Sequence, residues 1–393
     1  MDRHVLTLNA GSSSVKFGLF DIEREPTQIA DGEVERIGDV PRLKITDASG
    51  ETRADHALRG EGTAGHAGAI NAILAEMDTH FPDRHIASVG HRVVHGGLDY
   101  SRPCLIDEKV IGDLTELSPF APLHQPHNLA GIHAAREAFP GAPQIACFDT
   151  AFHHDHPWVN NVFALPQHYY DEGIRRYGFH GLSYEYIAGE LKRIAPHLYA
   201  GRVVVTHLGN GASMCGLQNG RSIGSTMGFS ALDGLPMGTR CGQLDPGVLL
   251  YLMDQKGMNA DEIADLLYRK SGLLGLSGLT NDMRTLEAAG TKEARQAIDY
   301  YVFRIRRELG ALCAVLGGLD AVVFCGGIGE NSRMIRSRVL QDLGWLGIEI
   351  DHAKNTDNAR VITTELSRAR VMVIPTNEDM VIARAAAAHF SSR

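Results

Sequence analysis

Residues 203–228 read VVVTHLGNGASMCGLQNGRSIGSTMG. A β-branched run at 203–206 leads into a glycine-rich turn, Gly209-Asn210-Gly211, and a second strand-like run follows at 212–217. Glycine tolerates positive φ and lets a ligand approach the main chain, so such a turn between strands can offer several N–H groups to one anion. The amino terminus repeats the arrangement: a strand at 5–8, the turn Asn9-Ala10-Gly11-Ser12-Ser13-Ser14, then a strand at 15–20. Two hairpins with small, polar tips imply a duplicated fold that grips something anionic from two sides.

Composition sets the frame for that idea. At 393 residues the chain exceeds the size at which one core usually keeps growing, so two domains are expected. Apolar residues at 44% and charged residues at 22% are ordinary globular values. A formal net charge of −9 argues against nucleic acid as a partner but not against a small anion met by a local cluster of Arg and His. The six cysteines (104, 147, 215, 241, 313 and 325) form no C-x-x-C pair, which fits a reducing compartment better than a disulfide framework or a zinc site. Residues 1–8 hold no apolar signal region and no window approaches about 18 uninterrupted apolar residues, so neither a signal peptide nor a membrane span is expected. The expectation is a soluble cytoplasmic protein.

Along the chain, strands are expected at 28–37 and 42–46, a helix at 66–80, a strand at 88–95, a helix at 126–139 and a strand at 145–148 that stops at Asp149. After a histidine-rich passage, read as a polar loop (His153, His154, His156), Ser183 is expected to cap a helix running to 194. Further helices are expected at 246–255, 261–270 and 291–316, the last with an apolar stripe from Ala294 to Leu316. A strand at 321–325 enters the turn Gly326-Gly327-Ile328-Gly329-Glu330-Asn331, with a helix after it. A strand at 370–374 and an alanine-rich helix at 377–390 complete the pattern, the helix returning to the first domain. The domain boundary falls near 150.

Walker A is absent, and neither Gly209-x-Gly211 nor Gly327-x-Gly329 completes GxGxxG, which disfavours P-loop and Rossmann enzymes. The junction at 326–331 is the better phosphate candidate because a helix follows it. His91 and His95 flank a strand-like run without the Glu of a zinc motif, and a metal pair there is disfavoured. Arg92 and Arg240 sit beside glycines, where a guanidinium fork can meet phosphate or carboxylate.

These residues carry a resemblance. LNAGSSSVKF (8–17), HRVVHGG (91–97), PLHQPHN (122–128), FDTAFH (148–153), RRYGFHG (175–181), HLGNGAS (207–213), MGTRCG (237–242), CGGIGEN (325–331) and PTNED (375–379) together resemble the acetokinases, a group within the actin-like, sugar-kinase and heat-shock ATPase superfamily. The resemblance spans essentially the whole chain. It implies an α/β protein with two domains of duplicated ribonuclease H-like fold, 1–150 plus about 380–393 and 151–379, ATP and acetate meeting in an interdomain cleft. It also implies a homodimer through the second domain.

Residue by residue, the resemblance places Asn9 and Glu378 near Mg²⁺ (or Mn²⁺), and Arg92 and Arg240 on the acyl phosphate. His180 and Asn210 would contact the transferring phosphoryl group, with Asp149 beside them and His124 near the same phosphate. Lys16, His207, Gly209, Gly211 and Asn331 join the phosphate and nucleotide set. Asp282-Met283-Arg284 and Gly327, Ile328 and Gly329 would hold ATP or ADP. Val94, Leu123 and Phe179 would line a pocket for the methyl group of acetate, bordered by Ala231.

The chemistry agrees. Phosphoryl transfer spreads charge over three equatorial oxygens, so positioning, cationic donors and a metal do most of the work. A carboxylate substrate is ionised at neutral pH and needs no general base, so Asp149 reads as orienting an Arg or a metal-bound water. Two departures stand out: Ala231 replaces the usual Pro, which would widen the acyl pocket, and Gln243 replaces a common Asp. A propionate or other short-chain carboxylate kinase is thus the near alternative. An actin- or chaperone-like ATP-driven switch is the distant one, disfavoured because a switch needs no second anion site made of Arg92, His180 and Arg240.

Overall fold

The computed structural model describes residues 3–11, 14–59, 65–82 and 84–391; Ser12 and Ser13, which the sequence reading put in the first turn, lie outside them. The chain divides into two compact units, Met1–Ala151 with Asn377–Arg393, and Phe152–Thr376.

The first unit is built on strands β1 (Arg3–Ala10), β2 (Ser14–Asp21), β3 (Thr27–Glu35), β4 (Arg42–Asp47), β5 (Thr52–Ala57), β6 (His85–Val93), β7 (Cys104–Leu105) and β8 (Gln144–Phe148), in the spatial order β5-β4-β3-β2-β1-β6-β8-β7. β1 runs antiparallel to β2 and parallel to β6, and β6 runs parallel to β8. β8 (QIACF) is buried at every residue, as a parallel strand covered on both faces must be. β4 alternates buried with exposed positions at its start, because only one face of that ribbon meets the core.

The helix Gly65–His80 packs beside Gln125–Ala138, while Glu378–Ser391 lies on β6 and β1. Gly90 permits that close approach: a Cβ there would stand 2.4 Å from Ile382 Cγ2.

The second unit repeats the pattern. Its strands β9 (Arg202–Leu208), β10 (Ala212–Gln218), β11 (Arg221–Ser225), β12 (Ala321–Cys325) and β13 (Arg370–Val373) take the order β11-β10-β9-β12-β13. β9 and β10 form the expected hairpin, and β12 pairs in parallel with both β9 and β13. Three antiparallel strands followed by two parallel ones recur as β3-β2-β1-β6-β8 in the first unit. Each unit therefore has the ribonuclease H-like order of the actin-like ATPases, and the chain is an α/β protein built on a duplicated fold.

Several local expectations are corrected. Ser183 is not a cap: it lies inside the helix Gly181–Ile194, fully buried, and His180 occupies the cap position with left-handed φ 58° and ψ 25°. Residues 326–331 do not form an open turn but a short helix, Gly326–Asn331, followed directly by Arg333–Leu340. The first helical N–H is already taken, since Gly326 N donates to Glu330 Oε1 at 2.8 Å. The histidine-rich passage is not a solvated loop throughout, since His153 and His156 are buried. The stripe on Lys292–Leu316 is core: Leu312 and Leu316 lie against β10, where a Cβ at Gly216 would meet them at 3.5 and 3.4 Å. The same helix turns Phe303 (61% exposed) and Val315 (53%) outward.

Candidate active site

In the first unit the candidate side chains Asn9, Arg92 and Asp149 gather where β1, β6 and β8 end. Arg92, next to last on β6, donates through Nη2 to Asp149 Oδ2 at 2.6 Å and through Nε to Asp149 Oδ1 at 3.0 Å. Its Nη1 reaches Asn9 Oδ1 at 3.4 Å, and Nε lies 3.7 Å from Glu378 Oε2. Burial disfavours the guanidinium charge, but Asp149 and then Glu378 outweigh it and raise its pKa above the ordinary value. Asp149 is buried just past β8 and faces Arg92 with both oxygens. The guanidinium is thus fixed in place by a bidentate acidic partner.

Asn128, unassigned from the sequence, ties the pieces together. Its Oδ1 accepts from Val94 N at 3.0 Å, and its Nδ2 donates to Ala10 O at 2.8 Å. Val94 is buried, Leu123 half-buried, and His124 stands at the cap of Gln125–Ala138. Lys16 is largely exposed, 3.9 Å from Glu33 Oε2. Asp379 also escaped notice: its Oδ1 accepts from Thr7 Oγ1 at 2.9 Å, and burial raises its pKa. Its position next to Glu378 in PTNED was the available signal.

In the second unit His180 and Arg240 converge on Gly211. A Cβ built there would stand 2.9 Å from Arg240 Nη2 and 3.1 Å from His180 Nε2, so only glycine lets both side chains sit against this main chain. His180 Nδ1 pairs with Ser213 Oγ at 2.8 Å, Ser213 pairs with the Tyr184 hydroxyl, and the His180 ring stacks on His207 with centroids 4.4 Å apart. His207 Nδ1 lies 2.8 Å from Ser183 Oγ, which also bonds Thr376 Oγ1. Arg240 Nη1 donates to Ala231 O at 2.8 Å. Asn210 is fastened by Gly238 N to its carbonyl at 3.0 Å and by Asn281 Nδ2 to its side chain at 3.2 Å, while Gly209 N donates to Gly211 O at 2.9 Å. Phe179 is buried, its carbonyl accepting from His153.

A cavity of about 580 Å³ in the same unit is lined by Asp282, Met283, Arg284, Gly327, Ile328 and Asn331, together with Glu287 and Ser332. Asp282 caps the helix Met283–Ala289 through Thr285 N, and its bonds to Arg284 and to that N–H hold its pKa down at about 2. Gly329 faces away, toward Leu208 and Phe324. A fully buried Arg336, unmarked by any motif above, donates to Gly329 O (2.9 Å), Glu330 O (2.8 Å), Asn355 Oδ1 (2.9 Å) and Asn358 Oδ1 (2.7 Å).

A sequence profile of the acetokinase family matches residues 4–384. The chain belongs to the acetokinase family. Among acetokinase relatives, acetate kinase of Methylocella silvestris is 58% identical over 396 residues, covering 98% of this chain and 97% of its own. Acetate kinase of Rhodopseudomonas palustris is 52% identical over 386 residues, covering 97% and 96%. Two solved acetokinase structures each cover 98% of both chains: Porphyromonas gingivalis acetate kinase (37% identity, TM-score 0.87) and a Francisella tularensis propionate kinase (34%, TM-score 0.90).

Among the described residues no three His, Cys, Asp or Glu side chains gather as a metal cage. Asn9 Oδ1 and the Glu378 carboxylate, the pair that the resemblance implies for a metal, both lie beside Arg92 and are nonetheless donors of a kind that suits Mg²⁺. That ion favours hard oxygens, keeps several waters, and is commonly held by one or two carboxylates plus substrate phosphate.

Proposed function

We propose that this acetokinase is a reversible ATP:acetate phosphotransferase that passes the γ-phosphoryl group directly and in line to the acetate carboxylate. The observation that carries the reading is the convergence of Arg240 and His180 on Gly211, two donors held ready for a phosphoryl oxygen. Such donors stabilise the charge of a loose transition state without reorganising at the moment of transfer.

Arg92 supplies a second anion site, and the bidentate bond to Asp149 fixes its orientation. Asp149 has both oxygens committed to Arg92, in keeping with an acceptor that arrives already ionised. The cavity beside Gly327, Ile328 and Asp282 takes the nucleotide. Asn9 and Glu378 would hold Mg²⁺, which when bound offsets charge on the nucleotide phosphates; Mn²⁺ satisfies the same donors.

A hydroxamate assay with ATP, Mg²⁺ and a series of carboxylates tests this. Acyl phosphate from acetate is expected; ATP hydrolysis without acyl phosphate would sink the kinase reading in favour of an ATP-driven switch.

Propionate is the second reading, favoured by Ala231. The carbonyl of Ala231 holds Arg240, so the residue that would border the acyl pocket also holds a phosphate-binding arginine. Proline retains that carbonyl, so Ala231→Pro should leave acetate turnover near normal and lower kcat/KM for propionate by about 10-fold, the worth of a methylene. Propionate turnover far below that of acetate, unchanged by Ala231→Pro, would end the idea.

A homodimer through the second unit is also proposed. The helix Pro246–Lys256 buries none of its residues, and Leu250 (67% exposed), Tyr251 and Met253 face outward. Light scattering at twice the chain mass checks it. No helix of the described residues is long and apolar enough to cross a membrane, and we place the enzyme in the cytoplasm, where its six free cysteines would stay reduced.

A further inference from the structure

The histidine-rich passage after Asp149 has no part in the reaction proposed above, yet two of its rings are buried. Ser222 Oγ lies 2.8 Å from His153 Nδ1 and 2.5 Å from His156 Nε2, with Cys215 Sγ at 3.1 Å. His153 Nε2 lies 3.0 Å from the carbonyl oxygen of Phe179. That oxygen can only accept, so Nε2 carries the ring proton and Nδ1 is bare. The Ser222 hydroxyl therefore donates to His153 Nδ1, and His156 Nε2 must donate to Ser222. The bonds from His156 through Ser222 and His153 to the Phe179 carbonyl then run in one direction. Burial lowers the His153 pKa to about 3 and the His156 pKa to about 4, so both rings stay neutral at physiological pH and the order is kept.

The chain ends at the peptide that leads into His180. His180 holds φ 58°, a left-handed conformation costing a side-chain-bearing residue about 1 kcal/mol, and Gly178 two residues before it holds φ 79°. A Cβ at Gly178 would stand 2.7 Å from His153 Cγ and Cδ2, so the imidazole is packed directly on this main chain. The His153 ring also meets Tyr184 edge-on at 5.6 Å, and Tyr184 bonds Ser213, the partner of His180 Nδ1. His153 therefore touches both supports of His180, its strained backbone and the side chains that orient its ring.

We propose that His153, held in one tautomer by Ser222 and His156, is a positioning residue that sets the conformation of His180. The role rests on the phosphotransferase reading. Wild-type enzyme, His153→Ala, His153→Gln and Ser222→Ala are compared for kcat and for KM of ATP and acetate. His153→Ala should lose kcat on the order of 100-fold through misplacement of His180, with KM for ATP changed by less than about twofold. His153→Gln, whose amide can still donate to the Phe179 carbonyl, should regain about tenfold of that loss, and Ser222→Ala should lose about tenfold. If His153→Ala does not fold, the same split in His153→Gln and Ser222→Ala decides. A kcat within about twofold of wild type in a folded His153→Ala or Ser222→Ala, or a loss confined to KM, overturns the role alone. A wild-type protein that forms no acyl phosphate overturns the phosphotransferase reading and this role with it.

Discussion

Gly211 decides how closely Arg240 and His180 approach one stretch of main chain. A methyl group there would press on the far end of a flexible arginine 2.9 Å away, which can swing aside at little cost to the fold. Gly211→Ala should therefore keep the melting temperature of the wild type while kcat falls on the order of 100-fold, since a displacement of about 1 Å is enough for that. Unchanged turnover would show that the two side chains need not share this spot. The residue types were legible in the sequence: GFHG and GTR announce a glycine near a ring or a cation, and GNG a glycine-rich turn. Their supports were not. Ser213, Tyr184, Ser183 and Thr376 are ordinary polar residues whose work is defined by partners far away in the chain, and no local pattern shows which hydroxyl a histidine will find. Ser183 looked like a cap because serine next to a helix start usually is one; His180 took that place in a left-handed conformation and freed Ser183 to reach His207.

Among elements, the short helix Gly326–Asn331 has three glycines in six residues and little helical propensity of its own. Glu330 ties its start to Thr376 N, and the Arg336 guanidinium takes its last carbonyls and joins them to Asn355 and Asn358. No carboxylate offsets that buried charge among these partners, and burial lowers its pKa to about 10. Arg336→Leu strands several buried acceptors at once. It should cost about 3 kcal/mol or more in urea unfolding and raise KM for ATP more than KM for acetate. An unchanged urea midpoint would contradict the clamp. Strands rich in Val, Ile and Leu could be read off the sequence to within a few residues. β5 (TRADHA) could not, because only Ala54 faces the core there. The helix Glu108–Glu116 was readable and missed: Asp107 caps it through Val110 N, and Val110, Ile111 and Leu114 form its buried face.

Across the whole molecule, both units carry buried histidines with depressed pKa values. His91 and His95, in the first unit, are lowered by burial to about 4, while His153 and His156, in the second, are lowered to about 3 and 4. Unfolding exposes these rings, which then bind protons near pH 6.5. Their contribution to stability is thus complete above that pH and is lost as pH falls toward about 4. The urea midpoint should decline through this window with proton uptake on unfolding; a midpoint flat from pH 7 to pH 5 would refute it. The duplicated order was legible because both hairpins carry small polar tips between β-branched runs, whereas nothing local announced that Ile382 lies over Gly90. That last contact bears on how the chain emerges from the ribosome. The second unit is one continuous stretch and holds all its strands and helices once residue 376 has been made. The first unit, though begun earliest, must wait for Glu378–Ser391 to cover β6 and β1. The part translated first is therefore finished last, and its bare sheet face is where a nascent-chain chaperone has the longest opportunity to bind.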